Sequence, residues 1–280
     1  MRPGERTGTL SGEQQDYAVA TWRYLRLAMI VLVVGLGVSI GYERGKTHPS
    51  CFQLSISAYY YTPVRSVLVG ALIAIAVCLV SLRGNTHAED VLLNLAGMFA
   101  SIVAMVPIPK VGSCGSVLAT AHDRDVSIAN NVFALLAMGL LALLIGAAIT
   151  LGAAGSPTLS TLAGYAFAVL VWLVTALLFE LARGFFVRTA HYTAAALMFV
   201  CVLAVVVLNA ASYRAKTGAA RMRNRYSAIA SAMVLAIVIV GVAGAFGWAY
   251  WVLGMEASLV TLFAVFWVAQ TQELWRQGIR

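Results

Sequence analysis

Charge is what this chain has least of. Asp, Glu, Lys and Arg together make up 11% of its 280 residues, where a soluble domain carries about 25%. So few charges cannot build a surface that faces water, so most of this surface faces lipid. Segments that alternate polar and apolar residues are missing too, which excludes a β-barrel and leaves helices to satisfy the backbone in the bilayer. Metal-ligand spacing is absent. The four histidines are isolated, with no His-x3-His, Cys-x2-Cys or His-Glu-x2-His. No opposed mid-span histidines are available for a haem. There is no Walker loop, dinucleotide fingerprint or Ser-His-Asp elbow. No metal, cofactor or catalytic residue is therefore expected, and a non-catalytic role is favoured over an enzyme. The net charge of +8 does not point to nucleic acid, because the basic residues fall between apolar runs and no basic stripe is interleaved with aromatics.

What is abundant is apolar: hydrophobic residues are 61% of the chain, and the mean hydropathy is +0.87. About 20 apolar residues cross a bilayer core. On that measure the spans are Tyr24–Tyr42, Val64–Leu82, Val91–Ile108, Val132–Ala153, Leu159–Leu181, His191–Ala211, Ser227–Trp248 and Gly254–Gln272. The expected fold is an all-α polytopic transmembrane bundle of about eight spans, or six if the 132–181 hairpin does not cross. Gly155-Ser156-Pro157 is the only break in that long apolar stretch. Residues 1–20 read as a flexible cytoplasmic tail and 21–280 as one transmembrane domain. The first run has no cleavage site after it and reads as an uncleaved anchor.

Basic residues set the orientation. With the N-terminus inside, twelve of the nineteen Lys and Arg fall on inner segments, led by the Arg214–Arg225 cluster. Both termini are thus expected inside, in a multi-pass protein of the cell (plasma or inner) membrane. Cys51 and Cys114 then fall in outer loops, where a disulfide between them is expected. The alternative is two unpaired loop thiols. Cys78 and Cys201 lie within spans.

The stretch from Ser55 to Pro109 organises the rest. It opens with Ser55-Ile-Ser-Ala-Tyr-Tyr-Tyr-Thr-Pro63, passes Arg65 into the second span, and closes on Pro107-Ile-Pro109. Most boundary aromatics read as an interfacial belt. Three consecutive tyrosines cannot share one helix face, however, and the flanking Ser and Pro suggest a shaped loop. Ionisable residues cluster toward the outer ends of spans. Glu43 and Arg44 close span one, Arg65 opens span two, His191 opens span six and Glu256 opens span eight. Glu180 has Arg183 three residues on, so the two can pair along one helix face. Each alone reads as an end-of-span residue that snorkels. Their common side supports an outward-facing polar pocket, with Ser57, Tyr60, Arg65, Glu180, Arg183 and His191 as the candidate ligand-binding residues. Thr86-His-Ala-Glu89 reads as a capping box for span three. Gly37-x3-Gly41 in span one, and Gly241, Gly244 and Gly247 in span seven, read as close helix–helix packing within the chain.

The run Ser55–Arg65, then Val69-Gly-Ala-Leu72, Leu82-Arg-Gly84 and Glu89-Asp-x3-Asn-Leu-Ala-Gly97, resembles a bacterial family of multi-pass integral membrane proteins without an assigned role. His191-Tyr-Thr-Ala-Ala-Ala196 and Phe266-Trp-Val-Ala-Gln-Thr-Gln-Glu-Leu-Trp275 extend the likeness. More distantly, the layout resembles DRAM/Sfk-type membrane proteins, which implies a part in lipid organisation. The resemblance implies no catalytic residue. Together these readings lead to a membrane protein that binds, senses or moves a lipid-like or small amphipathic molecule. Two alternatives stay open: a secondary transporter, and a metal-dependent membrane hydrolase using His48, His122 or His191.

Overall fold

The computed structural model describes residues 12–47, 52–109, 120–152, 156–218 and 224–275. They form eight α-helices: α1 (Gly12–Lys46), α2 (Arg65–Ser81), α3 (His87–Met105), α4 (Ala121–Gly152), α5 (Leu159–Leu181), α6 (Arg183–Thr217), α7 (Arg225–Ala245) and α8 (Trp251–Leu274). A 3₁₀ turn, Ser57–Tyr61, precedes α2, and no strand occurs among the described residues. Seven of the helices are long and apolar enough to cross a membrane. The eighth, α2, has 17 residues; at about 1.5 Å per residue it is slightly shorter than a bilayer core of about 30 Å. This is an all-α polytopic membrane bundle. The hairpin at 132–181 forms as two helices, and helix begins at Gly12, inside the segment expected to be a tail.

Local chemistry explains the helix ends. The Thr86 hydroxyl caps α3 by accepting the Glu89 N–H at 3.2 Å. Glu89 does not close the expected box on the Thr86 backbone. Its Oε2 turns one residue further and accepts the Asn85 N–H (2.8 Å) and the Asn85 side-chain amide (3.1 Å). Thr158 caps α5 through the Thr161 N–H, and the Asn224 side chain caps α7 through the N–H groups of Tyr226 and Ser227. Gly218 ends α6 at φ 62°, a left-handed conformation that glycine adopts without strain.

Helix α3 is the hub, packed against both α2 and α6. It comes close to α2 because Gly97 has no side chain: a Cβ there would lie 2.6 Å from Val80 Cγ2 and 2.8 Å from the Ala76 carbonyl oxygen. The expected role of Gly37 and Gly41 is corrected here. A Cβ at either would meet nothing within 4 Å, and the same holds for Gly241. Those glycines face away from the other described helices, and the tight packing lies elsewhere. At the end of the bundle where α3 begins and α8 ends, Asn209 Oδ1 accepts from Asn85 Nδ2 (3.3 Å) and Gln270 Nε2 (3.1 Å), which joins α6 and α8 to the start of α3.

Candidate functional site at the tyrosine turn

Proline at 63 and the serines at 55 and 57 fold the chain into a compact threshold rather than an extension of α2. Ser55 Oγ accepts the Ala58 N–H at 3.0 Å, and the Thr62 hydroxyl donates back to the Tyr59 carbonyl at 2.8 Å. These local bonds close the 3₁₀ turn and aim three successive tyrosines in three directions. All three are nonetheless buried, at 3–4% exposure, because Leu36 of α1, Leu68 of α2 and Ile108 enclose the turn. The three tyrosines are therefore core residues and not part of an interfacial belt. Burial pushes the Tyr59 hydroxyl above its ordinary range and the Tyr61 hydroxyl up to about 12. Both remain neutral, and Tyr61 donates to the Ile108 carbonyl at 2.5 Å. Arg65 Nη2 donates to the Tyr60 hydroxyl at 2.6 Å, with its guanidinium 4.3 Å from the Tyr60 ring centre.

The turn is fastened to two distant helices. Glu256 on α8 accepts the backbone N–H groups of Ile56 and Ser57 on one carboxyl oxygen, Oε2. Its other oxygen, Oε1, is 3.0 Å from Ser57 Oγ. Ser57 Oγ is also 2.9 Å from Nε2 of His191 on α6, and His191 Nδ1 is 2.7 Å from the Val106 carbonyl oxygen. The Leu253 N–H donates to the Leu54 carbonyl at 3.0 Å, a backbone bond that holds α8 in register with the turn. Arg124 of α4, 6% exposed, donates to the carbonyls of Pro107 (3.0 Å) and Val187 (2.7 Å) and pairs with Asp125 (2.8 Å). It ties the segment after α3 to α4 and α6.

Four of the six candidate residues, Ser57, Tyr60, Arg65 and His191, thus converge on the threshold. Glu180 and Arg183 do not join them. Glu180 is exposed, no ion pair links it to Arg183, and Arg183 lies over the Phe179 ring at 5.0 Å. The expected pairing fails because α5 stops at Leu181 and Ala182 leaves helical geometry (φ −136°, ψ 43°). The i,i+3 relation requires an unbroken helix. The proposed Cys51–Cys114 bridge lies outside the described residues, while Cys78 and Cys201 are buried free thiols. No three His, Cys, Asp or Glu converge on a metal-sized site among the described residues.

Sequence reasoning passed over Glu256 and Arg124 as binding residues for one shared reason. Most of their partners are backbone groups, of Ile56, Ser57, Pro107 and Val187, which leave no side-chain signature. The Ser57–His191 pair resembles the start of a nucleophile–base arrangement. The surroundings argue against that chemistry. The Ile56 and Ser57 N–H groups that would face a developing oxyanion are already taken by Glu256, and the Glu256 carboxyl sits against Ser57 Oγ. The geometry suits proton exchange among the buried Ser57 and His191 and the half-buried Glu256 better than attack on a substrate.

Open space lies elsewhere. A cleft of about 380 Å³ separates α2 and α3 from α4 and α5, lined by Val77, Met98, Met105, Leu135, Met138 and Trp172 among others. Val80 and Ser81 line both this cleft and a neighbouring one of about 360 Å³, walled by Arg83, His87, Asp90, Asn94, Thr161 and Tyr165. The first is almost wholly apolar; the second is polar and sits where α2 ends and α3 begins. Two bonds from α5 side chains to α4 carbonyls hold the far wall together: Tyr165 to Leu143 (2.9 Å) and Trp172 to Leu136 (2.8 Å).

The chain matches no protein-family model, no curated protein and no solved structure.

Proposed function

We propose that this integral membrane protein binds a lipid-like amphiphile in the cleft between the α2–α3 and α4–α5 pairs. The supporting observation is the abutment of an apolar cleft with a polar mouth through their shared residues Val80 and Ser81. An acyl chain suits the apolar part, where contact with Met98, Met138 and Trp172 involves no unpaired polar group. A headgroup suits the mouth, where Arg83 Nη1 and Asp90 Oδ2 stand 3.8 Å apart and present both signs of charge. The expected class of ligand is kept and its site moves. At the threshold the tyrosines are buried, while the polar mouth of the cleft lies at the other end of α2. The likeness to lipid-organising membrane proteins points to the same class.

The test is the lipid that stays with the detergent-purified protein, read by mass spectrometry against the bulk membrane extract. The wild-type protein should retain one amphiphile class well above its bulk share. Ala142→Trp, which fills the cleft from α4, should lose that enrichment while the protein stays folded. A retained profile equal to bulk membrane in both proteins overturns the reading.

A further inference from the structure

We propose that Ser57, His191 and Glu256 form a proton-binding site: a three-residue chain that holds one shared proton and pins the tyrosine turn to α6 and α8. Counting hydrogens leads to it. The Val106 carbonyl can only accept, so His191 Nδ1 carries a hydrogen and donates to it over 2.7 Å. What remains is a line of three atoms, His191 Nε2, Ser57 Oγ and Glu256 Oε1, with spacings of 2.9 and 3.0 Å. A serine hydroxyl has a single hydrogen and can donate to only one neighbour. With imidazole at one end and carboxylate at the other, both ends would accept and one contact would have no hydrogen. With imidazolium and carboxylic acid, both ends would donate and the serine hydrogen would have no acceptor. The line is satisfied when the two ends share one proton between them. Either imidazolium donates to Ser57 and Ser57 donates to the carboxylate, or the carboxylic acid donates to Ser57 and Ser57 donates to the imidazole.

The two arrangements interconvert in one concerted step. Glu256 Oε1 gives its proton to Ser57 Oγ while Ser57 Oγ passes its own hydrogen to His191 Nε2. One proton moves from carboxyl to imidazole, and the three side chains together stay neutral. Neutrality suits the place, because His191 and Ser57 are buried at 4% and 9% exposure and an unbalanced charge there is expensive.

The surrounding ionisable groups supply a fixed background. Arg124 of α4 acts electrostatically on His191 and is committed to Asp125 and two carbonyls. Arg65 at the start of α2 is bonded to Tyr60. Tyr192 of α6 stacks edge-on with His191 at 5.8 Å, and Tyr59 and Tyr61 hold neutral hydroxyls within the turn. Glu43 and Arg44 of α1 act electrostatically on Tyr59. From α3 and the residues after it, backbone carbonyls face the line. Glu256 and His191 are thus the pair that can exchange a proton with the medium. Taking up a second proton, or giving up the first, breaks one contact and loosens the turn from α6 or α8.

Two measurements on the full chain in lipid nanodiscs test this. The first is nitrogen NMR of His191 in the wild-type protein. Nδ1 should be protonated at every pH where the protein is folded; a spectrum with Nδ1 unprotonated overturns the proposal. The second compares thermal stability against pH in the wild type and Glu256→Gln. The Gln amide donates permanently to Ser57 and its oxygen accepts from Ile56 and Ser57, so it copies the carboxylic acid without a removable proton. Wild-type stability should fall on both the acid and the alkaline side. The variant should keep the acid fall and lose the part of the alkaline fall that begins with the neutral site. An alkaline fall unchanged in Glu256→Gln also overturns it. If that variant does not fold, the NMR result alone decides.

Discussion

Tyr61 joins burial, hydrogen bonding and titration in one side chain. Its hydroxyl donates to the Ile108 carbonyl, and burial lifts its ionisation from the ordinary 10.0 to about 12. The fold holds this proton more tightly than the unfolded chain does. The resulting stability is complete below pH 10 and is lost as the pH rises toward 12. Tyr61→Phe should therefore lower stability near neutrality by about 1–3 kcal/mol, because the Ile108 carbonyl is left unpaired. It should also flatten the alkaline decline. Unfolding followed by tyrosine absorbance and circular dichroism across that pH range checks both parts; an equally steep decline in the Phe variant contradicts the assignment. Arg124 offers a second contrast at this scale. It serves two backbone carbonyls with a fixed planar fork, which one ammonium does not reproduce. Arg124→Lys should therefore cost nearly as much stability as Arg124→Gln. Asp125→Asn should cost little, since the Asp125 side chain is 61% exposed. Thermal melts of the three variants in one detergent decide it. Rescue by Lys contradicts the carbonyl-clamp reading.

Among the elements, the glycine pattern shows where local reading reaches its limit. Gly37-x3-Gly41 is a visible motif, yet a Cβ at either position would meet nothing within 4 Å. Gly97 has no glycine partner at that spacing, yet a Cβ there would strike Val80 and the backbone oxygen of Ala76. A spacing says that a helix has a small-residue face. Which neighbour meets that face depends on the packing of the whole bundle. Helix starts were more legible, because a cap is local: Thr86 was identifiable three residues before Glu89, and only the turn of the Glu89 carboxylate to Asn85 differs. The prediction is a contrast in sign. Gly97→Ala should destabilise by about 1–3 kcal/mol, because the Ala76 carbonyl cannot move aside cheaply. Gly41→Ala should be neutral or stabilising by about 0.5–1 kcal/mol, the usual gain from removing glycine inside a helix. Chemical denaturation in mixed micelles measures both. A loss at Gly41 equal to that at Gly97 means that α1 packs on something through this face.

For the whole molecule, hydropathy alone made the eight helices legible, since lipid imposes a length and a composition on each crossing. The threshold site was legible only where a side chain announces itself, as Ser57, Tyr60, Arg65 and His191 do, and not where its partner is backbone. Topology sits between these cases. Arg23 of α1 bonds the Trp275 carbonyl and lies over the Trp275 ring at 4.9 Å, which puts the start of the first helix and the end of the last at one face of the bundle. Their shared face requires an even number of crossings, and so requires α2 to cross despite its 17 residues. At the opposite face several of the described basic residues are tied into contacts: Arg44 over Phe52, Lys46 over Tyr42, Arg65 on Tyr60, and Arg124 on carbonyls. At the terminal face Arg83 is 73% exposed, and Arg214 and Lys216 are exposed in the last turn of α6. Exposed positive charge of that kind is retained on the cytoplasmic side. Reporter fusions after Gly218 and after Trp275 should accordingly both report the cytoplasm, and a fusion after Gly247, between α7 and α8, the opposite side. If Gly218 and Gly247 report the same side, α7 does not cross. If Gly218 and Trp275 report opposite sides, the shared face of the two chain ends is wrong.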